Sequence, residues 1–540
     1  MAETIAPGRD DRRREVVLVG LMAAIAGTAA LVATRHGIAL SADSVSYLSA
    51  ARNLAAGHGY LDFTGTADTT FPPLFPAAIA AGNVVGFSLT TSARLVNAGS
   101  FAAIVVLSWA LLRRCVDSTV VRVTALIAIA CSPVLLDVSA KAWSEPLFCA
   151  FLLAFLLVIE RAVRSVDARL RLVAAAGLIS GAAFLVRYVG VSLIITGVVV
   201  CALVPLGTSI RRRAERTLVF VLAAAPLPAI WALRNAGSGA QHLLGPRVAL
   251  PGSPWIVVRE FVVSAASLVA LPRAPLVFVV CAVPIGVVAI LGARAASRRA
   301  GLVDQRRQLI ALAPVFVFIA VYIPILLVAG KMSGASVDAR TVMPLFVPAV
   351  VVVARFADLA RTEARSRTVP GRRRSYRAAM VLGSAATYLV VMGLVFATTA
   401  WADGRTARGY GSATARPSTV AQAVRSLDAR ALVVTNHPWT LYVATGHQPV
   451  LPTPRPLYPS VSIAPATTDQ ISDALCTRSV YLAWFTRGVD AAGPPNLGSD
   501  VSIEALSTQT DGTVYRVIPS ASTSSRSVDG HAECPVTKSG

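Results

Sequence analysis

Residues 42–76 read ADSVSYLSAARNLAAGHGYLDFTGTADTTFPPLFP, and the rest of the chain is arranged around them. The stretch is too polar to cross a bilayer, yet it follows directly on a hydrophobic run at 15–34. It puts one carboxylate, Asp43, a few residues beyond the expected membrane edge. Tyr47, Leu48, Ala51 and Leu54 recur at helical spacing, which predicts an amphipathic helix over about 44–56. Gly57 and Gly59 end it, and Pro72-Pro73 turn the chain toward a second apolar helix.

The surroundings of this loop are apolar. The 540 residues are 55% hydrophobic and 14% charged, with a mean hydropathy of +0.64. A soluble chain of this size cannot bury that much apolar surface, so the bulk is a mainly α polytopic membrane protein. A net charge of +22 would suit nucleic acid, but 28 of the 50 Lys and Arg fall in six segments, 1–14, 113–122, 161–171, 211–216, 294–307 and 355–377. These alternate with hydrophobic runs, which is the positive-inside pattern of a membrane protein. The basic charge is therefore a topology signal, and nucleic acid is not the partner.

Runs long enough to span lie near 15–34, 94–112, 120–138, 144–160, 172–187, 189–207, 217–234, 275–293, 308–330, 341–357 and 378–401, about eleven in all. The first run is too long for a secretory leader and lacks a cleavage site. With the Arg-rich N-terminus cytoplasmic, an odd number of spans places the C-terminus outside and every Arg-rich loop inside. Residues 72–88 and 255–272 are apolar but short, and are assigned to helices lying on the outer membrane surface. Residues 1–401 thus form the membrane domain, with 37–93 as its first external loop.

After residue 401 the composition changes. Residues 402–540 carry 11 basic and 10 acidic side chains and many Pro, Ser and Thr. Strand-like runs at 431–435, 479–485 and 513–518, with a helix over 420–428, predict a small extracytoplasmic α/β domain at 402–519. Residues 435–452 read as strand–turn–strand, and 520–540 as a disordered tail. Of seven cysteines, Cys115, Cys131, Cys149, Cys201 and Cys281 lie in or beside apolar spans, as small hydrophobes do. Cys476 and Cys534 are left as a pair that could close a disulfide outside the cytoplasm. No Cys/His spacing suggests a metal.

Polar side chains at the outer span ends are the candidates for chemistry, because charge at membrane depth is costly. Asp43 is either a general base, taking the proton of an acceptor hydroxyl, or an N-cap of the helix it precedes. Glu145, in AKAWSEPLF, opens the fourth span beside Pro146 and is either functional or a helix-start carboxylate. Lys141 could meet a phosphate or pair with Glu145. Arg187 in FLVRYVG, Arg234 in WALRNAG, and Lys331 and Arg340 in GKMSGASVDARTVMP are the outer cations. They could hold a lipid phosphate or snorkel at the interface. His58 and Tyr60, with Tyr47 and Tyr188 nearby in their loops, could contact a sugar or simply pack. Asp62 and Asp68 read as ordinary loop acids. No P-loop or GxGxxG appears, so a nucleotide-sugar site is not supported.

An acidic residue at the start of a long first external loop, followed by the FPPLFP return, resembles the GT-C glycosyltransferases that use lipid-phosphate sugars. Their relatives include the protein O-mannosyltransferases and the lipid A aminoarabinose transferases. The resemblance covers about residues 15–360 and lies in order and topology more than in any one motif. It implies a GT-C arrangement of the helices, Asp43 as catalytic base and Glu145 as a nearby helper in acceptor or metal binding. It also implies that Arg187, Arg234 and Arg340 stand where relatives carry RY-, RN- and DxR-like sequences. The donor it implies is a polyprenyl-phosphate monosaccharide. The acceptor would be a cell-envelope glycan, a glycolipid or a protein, and a divalent cation is left open. The Ala/Val/Arg-rich composition points to a high-GC bacterium, with decaprenyl-phosphate arabinose or mannose as plausible donors.

Two other classes are open from sequence. A transporter or lipid flippase would need matching broken helices in two halves and charges at mid-membrane, whereas here the charges gather at the outer ends. A scaffold that only displays the tail domain would leave Asp43 replaceable.

Overall fold

The computed structural model describes residues 9–164, 170–204, 208–238, 253–268, 303–333, 336–366, 373–405, 418–446, 450–452, 468–486, 494, 497 and 501–520. The chain opens with helix α1 (Arg9–Ala33). The loop helices α2 (Ala42–Ala55) and α3 (Leu74–Val84) follow it. Next come α4 (Leu89–Cys115), α5 (Thr119–Ala130), α6 (Pro133–Ser139) and α7 (Glu145–Arg164). Helix α8 (Leu170–Val186) is joined through a short 3₁₀ turn (Tyr188–Gly190) to α9 (Val191–Leu203). Beyond them lie α10 (Ile210–Ala224), α11 (Pro226–Gly237) and α12 (Pro254–Ser267). The last helices of this part are α13 (Val303–Ser333), the one-turn α14 (Ala339–Val342), α15 (Phe346–Ser366) and α16 (Arg373–Arg405).

Among the described residues, six helices are long and apolar enough to cross a membrane, or seven if α10 and α11, bent by 41° at their junction, count as one span. The expected spans at 172–187 and 189–207 appear as the apolar helices Leu170–Val186 and Tyr188–Leu203, each under 18 residues and so not among those six. The expected span at 275–293 lies outside the described residues.

One large apolar core runs through α1, α4, α7, α8, α9, α10 and α13, with Phe101, Phe148, Phe155, Phe220 and Phe318 fully buried in it. Glycine permits the closest approach. A Cβ on Gly181 would lie 2.6 Å from the Ala224 carbonyl oxygen, and one on Gly177 2.6 Å from that of Phe220, so α8 and α10 meet backbone to backbone. Helix α7 carries Glu145 in its first turn and the Glu160 pair with Arg114 and Arg164 near its last, separated by about 22 Å of helix. The Arg-rich ends therefore gather at one end of the bundle and Glu145 at the other.

The first loop folds much as its sequence predicts. Helix α2 stops at Ala55, and Gly57 (φ 78°) and Gly59 (φ 87°) take left-handed backbone there, which glycine adopts without strain. Tyr47 and Ala51 are buried, with Leu48 and Leu54 packed beside them, against Phe75 and Ile79 of the next apolar turn.

After residue 418 come α17 (Thr419–Arg425), β1 (Leu432–Thr435), α18 (Pro438–Thr445), β2 (Val450–Pro452) and α19 (Thr468–Leu475). Strands β3 (Val480–Phe485), β4 (Val501–Gln509) and β5 (Gly512–Pro519) complete a five-stranded sheet of order β2-β1-β3-β5-β4. β1 is parallel to β2 and β3, and β5 is antiparallel to β3 and β4. Residues 435–452 are a strand–helix–strand unit, not the expected strand–turn–strand. Pro438 sits in the first turn of α18, and its missing N–H is one the helix leaves unpaired in any case. β4, polar on most of its length, was not legible as a strand. The sheet unit rests on the first loop, where Val45 and Phe63 join the core that holds Val433, Trp439 and Phe485. Arg52 of α2 donates to the Gly446 carbonyl at 2.7 Å. Cys476 is disulfide-bonded, while Cys534, the partner expected from sequence, lies outside the described residues.

Candidate functional site

Four short segments converge at the loop end of the bundle. The first is the start of α2. Its cap is Ser41, whose side chain and backbone exchange hydrogen bonds with Ser44. Asp43 therefore stands in the first turn, and the cap of the helix is Ser41.

The second segment is the turn into α7. Glu145, 1% exposed, follows Ser144, whose hydroxyl lies 3.1 Å from the Tyr47 phenol. The third is the end of α8, where Arg187 precedes the 3₁₀ turn. A Cβ on Gly190 would clash with the Ala183 and Phe184 backbone at about 2.5–2.7 Å, so this tight reversal needs glycine. The fourth is α14, held by an Asp338–Thr341 capping box and by Tyr322, whose phenol donates to the Thr341 carbonyl at 2.7 Å.

Their charges form one network. Arg340 Nη1 reaches Asp43 Oδ2 at 2.5 Å, and its Nε lies 3.4 Å from Glu145 Oε1 and 3.9 Å from Asp338 Oδ2. Arg187 Nη1 reaches Glu145 Oε1 at 2.6 Å and donates to the Ser144 hydroxyl at 3.0 Å. Glu145 thus bridges two guanidiniums, one of which also holds Asp43. Both oxygens of Glu145 and Nε of Arg340 are buried without an aligned hydrogen bond among the described residues. Asp43 and Arg340 keep 20% and 18% of their side chains exposed, so the pair opens to solvent while Glu145 does not. Burial raises the Tyr47 phenol far above its usual range, so Tyr47 serves as a neutral hydrogen-bonding group.

A second group centres on Arg234 and the first loop. Arg234 donates to the carbonyls of Asp68 at 2.6 Å and Tyr60 at 2.7 Å, with its guanidinium 4.9 Å from the Trp231 ring centroid and 5.5 Å from that of Tyr60. Tyr188 donates to the Thr69 carbonyl at 2.7 Å and accepts from the Trp231 indole at 3.0 Å. The Tyr60 hydroxyl reaches the Phe71 and Pro72 carbonyls. Arg234, Tyr60 and Tyr188 are thereby engaged with loop backbone.

Of the residues singled out in the sequence, the structure brings together Asp43, Glu145, Arg187, Arg340 and Tyr47. It places Arg234, Tyr60 and Tyr188 in the loop clamp. His58 is exposed on the turn after α2, and Lys331 sits in the last turn of α13. Lys141 pairs with Asp137 at 2.7 Å, four residues back on the same stretch, and not with Glu145.

Sequence reading missed Asp68, which is 4% exposed and pushed up to about 7, chiefly by burial and then by the charge of Asp62. Its position between an alanine and two threonines gave no sign of that burial. Asp62, by contrast, forms a local turn with Thr64 and Thr66, as a loop acid does. Among the described residues no three His, Cys, Asp or Glu side chains group as ligands, and both site carboxylates are taken by guanidiniums.

Residues 70–231 match the family model described as dolichyl-phosphate-mannose-protein mannosyltransferase. Comparison with curated proteins gives no match. Among solved structures, ArnT from Cupriavidus metallidurans bound to undecaprenyl phosphate has a TM-score of 0.60 at 16% identity, over 92% of this chain and 97% of that one. The arabinofuranosyltransferase AftD from Mycobacteria has a TM-score of 0.56 at 15% identity; the match covers 92% of this chain and 39% of AftD. The oligosaccharyltransferase AglB from Archaeoglobus fulgidus, in complex with an inhibitory peptide and a dolichol-phosphate, has a TM-score of 0.50 at 11% identity, over 82% of this chain and 65% of that one. At these identities the likeness is one of fold.

Proposed function

We propose, for a chain that has the GT-C glycosyltransferase fold, that it moves a monosaccharide from a polyprenyl-phosphate donor to an acceptor hydroxyl on the extracytoplasmic face. The observation that carries this reading is the cluster of Asp43, Arg340, Glu145 and Arg187 at the loop end of the bundle. A carboxylate and two guanidiniums within one contact network supply the two groups such a transfer needs. One is a proton acceptor for the attacking hydroxyl. The others are cations for the departing phosphate.

In the step, the acceptor oxygen bonds to the anomeric carbon as that carbon's bond to the phosphate oxygen breaks. The hydroxyl proton passes to Asp43, and the electron pair leaves with the lipid phosphate. Attack opposite the leaving group inverts the anomeric centre. The phosphate draws Arg340 from Asp43, and the carboxylate is then released to receive the proton. Glu145 holds Arg187 and Arg340 at a fixed separation. Lys331 stands as a further cation for the lipid phosphate, and His58 for the sugar. ArnT was solved with undecaprenyl phosphate, which supports a lipid of that class as this chain's carrier.

The sheet unit packs on α2, so it would share a membrane face with Asp43. The Arg-rich helix ends gather at the opposite end of the bundle. That polarity supports a cytoplasmic N-terminus and an extracytoplasmic sheet domain, on either side of an odd number of spans that we put at about eleven. A cell-envelope glycan, a glycolipid or a protein is the acceptor class.

The test is Asp43→Asn. Because Ser41 caps α2, the amide side chain leaves the helix start intact but cannot take a proton. Transfer of labelled arabinose or mannose from the decaprenyl-phosphate donors to membranes of a deletion strain should fall by about 10² or more. Expression and undecaprenyl-phosphate binding should stay near wild type. Near-equal transfer rates would remove Asp43 from the chemistry.

A further inference from the structure

We infer that Trp143 is a positioning residue that holds the Asp43 helix and Arg340 in register; the inference rests on the functional reading above. Trp143 lies two residues before Glu145, half-buried at the edge of the main core. Its indole Nε1 donates to Ser41 Oγ at 2.7 Å, and Ser41 is the cap of the helix that carries Asp43. Its ring lies 4.7 Å from the Arg340 guanidinium carbon and 4.4 Å from Lys141 Nζ. One side chain therefore touches the base's helix through its edge and the base's partner cation through its ring.

The backbone on either side is fixed as well. Ala39 N–H donates to the Ala140 carbonyl and Ala142 N–H to the Ala39 carbonyl, each at 3.0 Å, forming a parallel bridge between the two external loops. Asn97 of α4 donates to the Lys141 carbonyl at 2.6 Å, which ties that bridge to the bundle. Trp143 is thus presented by a rigid seam, and its contacts with Ser41 and Arg340 end on residues that must keep a set separation. A guanidinium over an indole is held in place yet keeps its N–H groups free for carboxylate or phosphate. Arg340 can therefore exchange Asp43 for a phosphate without leaving the ring.

The two contacts separate by substitution. Trp143→Phe keeps a ring against Arg340 and loses the Ser41 bond; Trp143→Leu loses both. In full-length protein, Trp143→Phe should bind undecaprenyl phosphate within about twofold of wild type while transfer falls about tenfold, as expected when positioning alone is lost. Trp143→Leu should lose a further factor of about ten in undecaprenyl-phosphate affinity, as expected for a desolvated cation–π contact. Ser41→Gly, which stays an adequate cap, should reproduce the Phe result. A residue that only packs would move melting temperature and leave the affinity-to-rate split unchanged.

Wild-type transfer in both Trp143→Phe and Ser41→Gly, or unchanged undecaprenyl-phosphate affinity in a folded Trp143→Leu, would overturn the inference. If Asp43→Asn also transferred normally, the functional reading itself would fail. If Asp43→Asn were inactive and Trp143→Phe normal, only the role of Trp143 would fall.

Discussion

Replacing Asp68 by Asn should remove a pH-dependent penalty that the wild-type loop carries. Asp68 is 4% exposed, and its Oδ1 accepts the amides of Thr70 at 2.8 Å and Phe71 at 3.3 Å. Oδ2 is buried without a hydrogen-bond partner among the described residues. Burial first, and the Asp62 charge second, push the carboxyl from 3.8 up to about 7, against the pull of the two amides and of Arg234. An acid whose folded value lies above its unfolded one stabilises the fold only while protonated. Stability is therefore full below about pH 4, falls as pH rises toward 7, and levels off above it. At about 1.4 kcal/mol per tenfold in proton affinity, the full loss is ~4 kcal/mol.

Asn keeps the Oδ1 acceptor and never ionises. Its unpaired NH₂ costs about 1–3 kcal/mol at every pH, so the slope of the difference between the two proteins is the informative quantity, not its absolute value. Thermal melts of both proteins in nanodiscs, followed by tryptophan fluorescence from about pH 4.5 to 8, should show the variant gaining over wild type up to about pH 7 and a constant difference above it. A flat difference across that range would refute the buried-acid account of Asp68.

Arg234→Gln should loosen the first loop more than it weakens lipid binding, since the guanidinium donates to two loop carbonyls. Hydrogen exchange at 60–71 should rise while undecaprenyl-phosphate affinity stays within about twofold; a tenfold loss of affinity with the loop still protected would make Arg234 a phosphate ligand. Gly181→Ala should cost about 1–3 kcal/mol, because its Cβ would sit 2.6 Å from the Ala224 carbonyl oxygen. Gly99→Ala in α4, with nothing within 4 Å, should instead raise the melting temperature slightly, an ordinary helix-propensity gain of up to about 1 kcal/mol. Equal melting temperatures for the two variants would contradict the close packing of α8 on α10.

Much of the fold is legible in local pattern. The helical spacing of Tyr47, Leu48, Ala51 and Leu54 with the Gly57 and Gly59 stop predicted α2 to within two residues at its start and one at its end. Strands β1, β3 and β5 fell where β-branched and aromatic residues cluster. β4 was missed because an edge strand with mostly exposed side chains has no apolar alternation to read. The expected spans at 172–187 and 189–207 coincide with α8 and α9, 17 and 13 residues long, parted by a tight turn that needs Gly190.

At the site, sequence alone identified which residues were expensive to place near a membrane. It marked Asp43, Glu145, Arg187, Arg234 and Arg340, because charge, span position and helix-start chemistry are properties of a few neighbouring residues. Tertiary structure alone decided their partners. Asp43 and Arg340 are 297 positions apart, and only the packing of α2, α7 and α14 makes them a pair. The same packing turned Arg234 away to the loop carbonyls, buried Asp68, and set the Trp143 indole between Ser41 and Arg340. The physical reason is one of range. Hydropathy and capping act over a turn or two of chain, whereas the free energy of a buried charge is set by whatever the fold brings within a few ångströms of it.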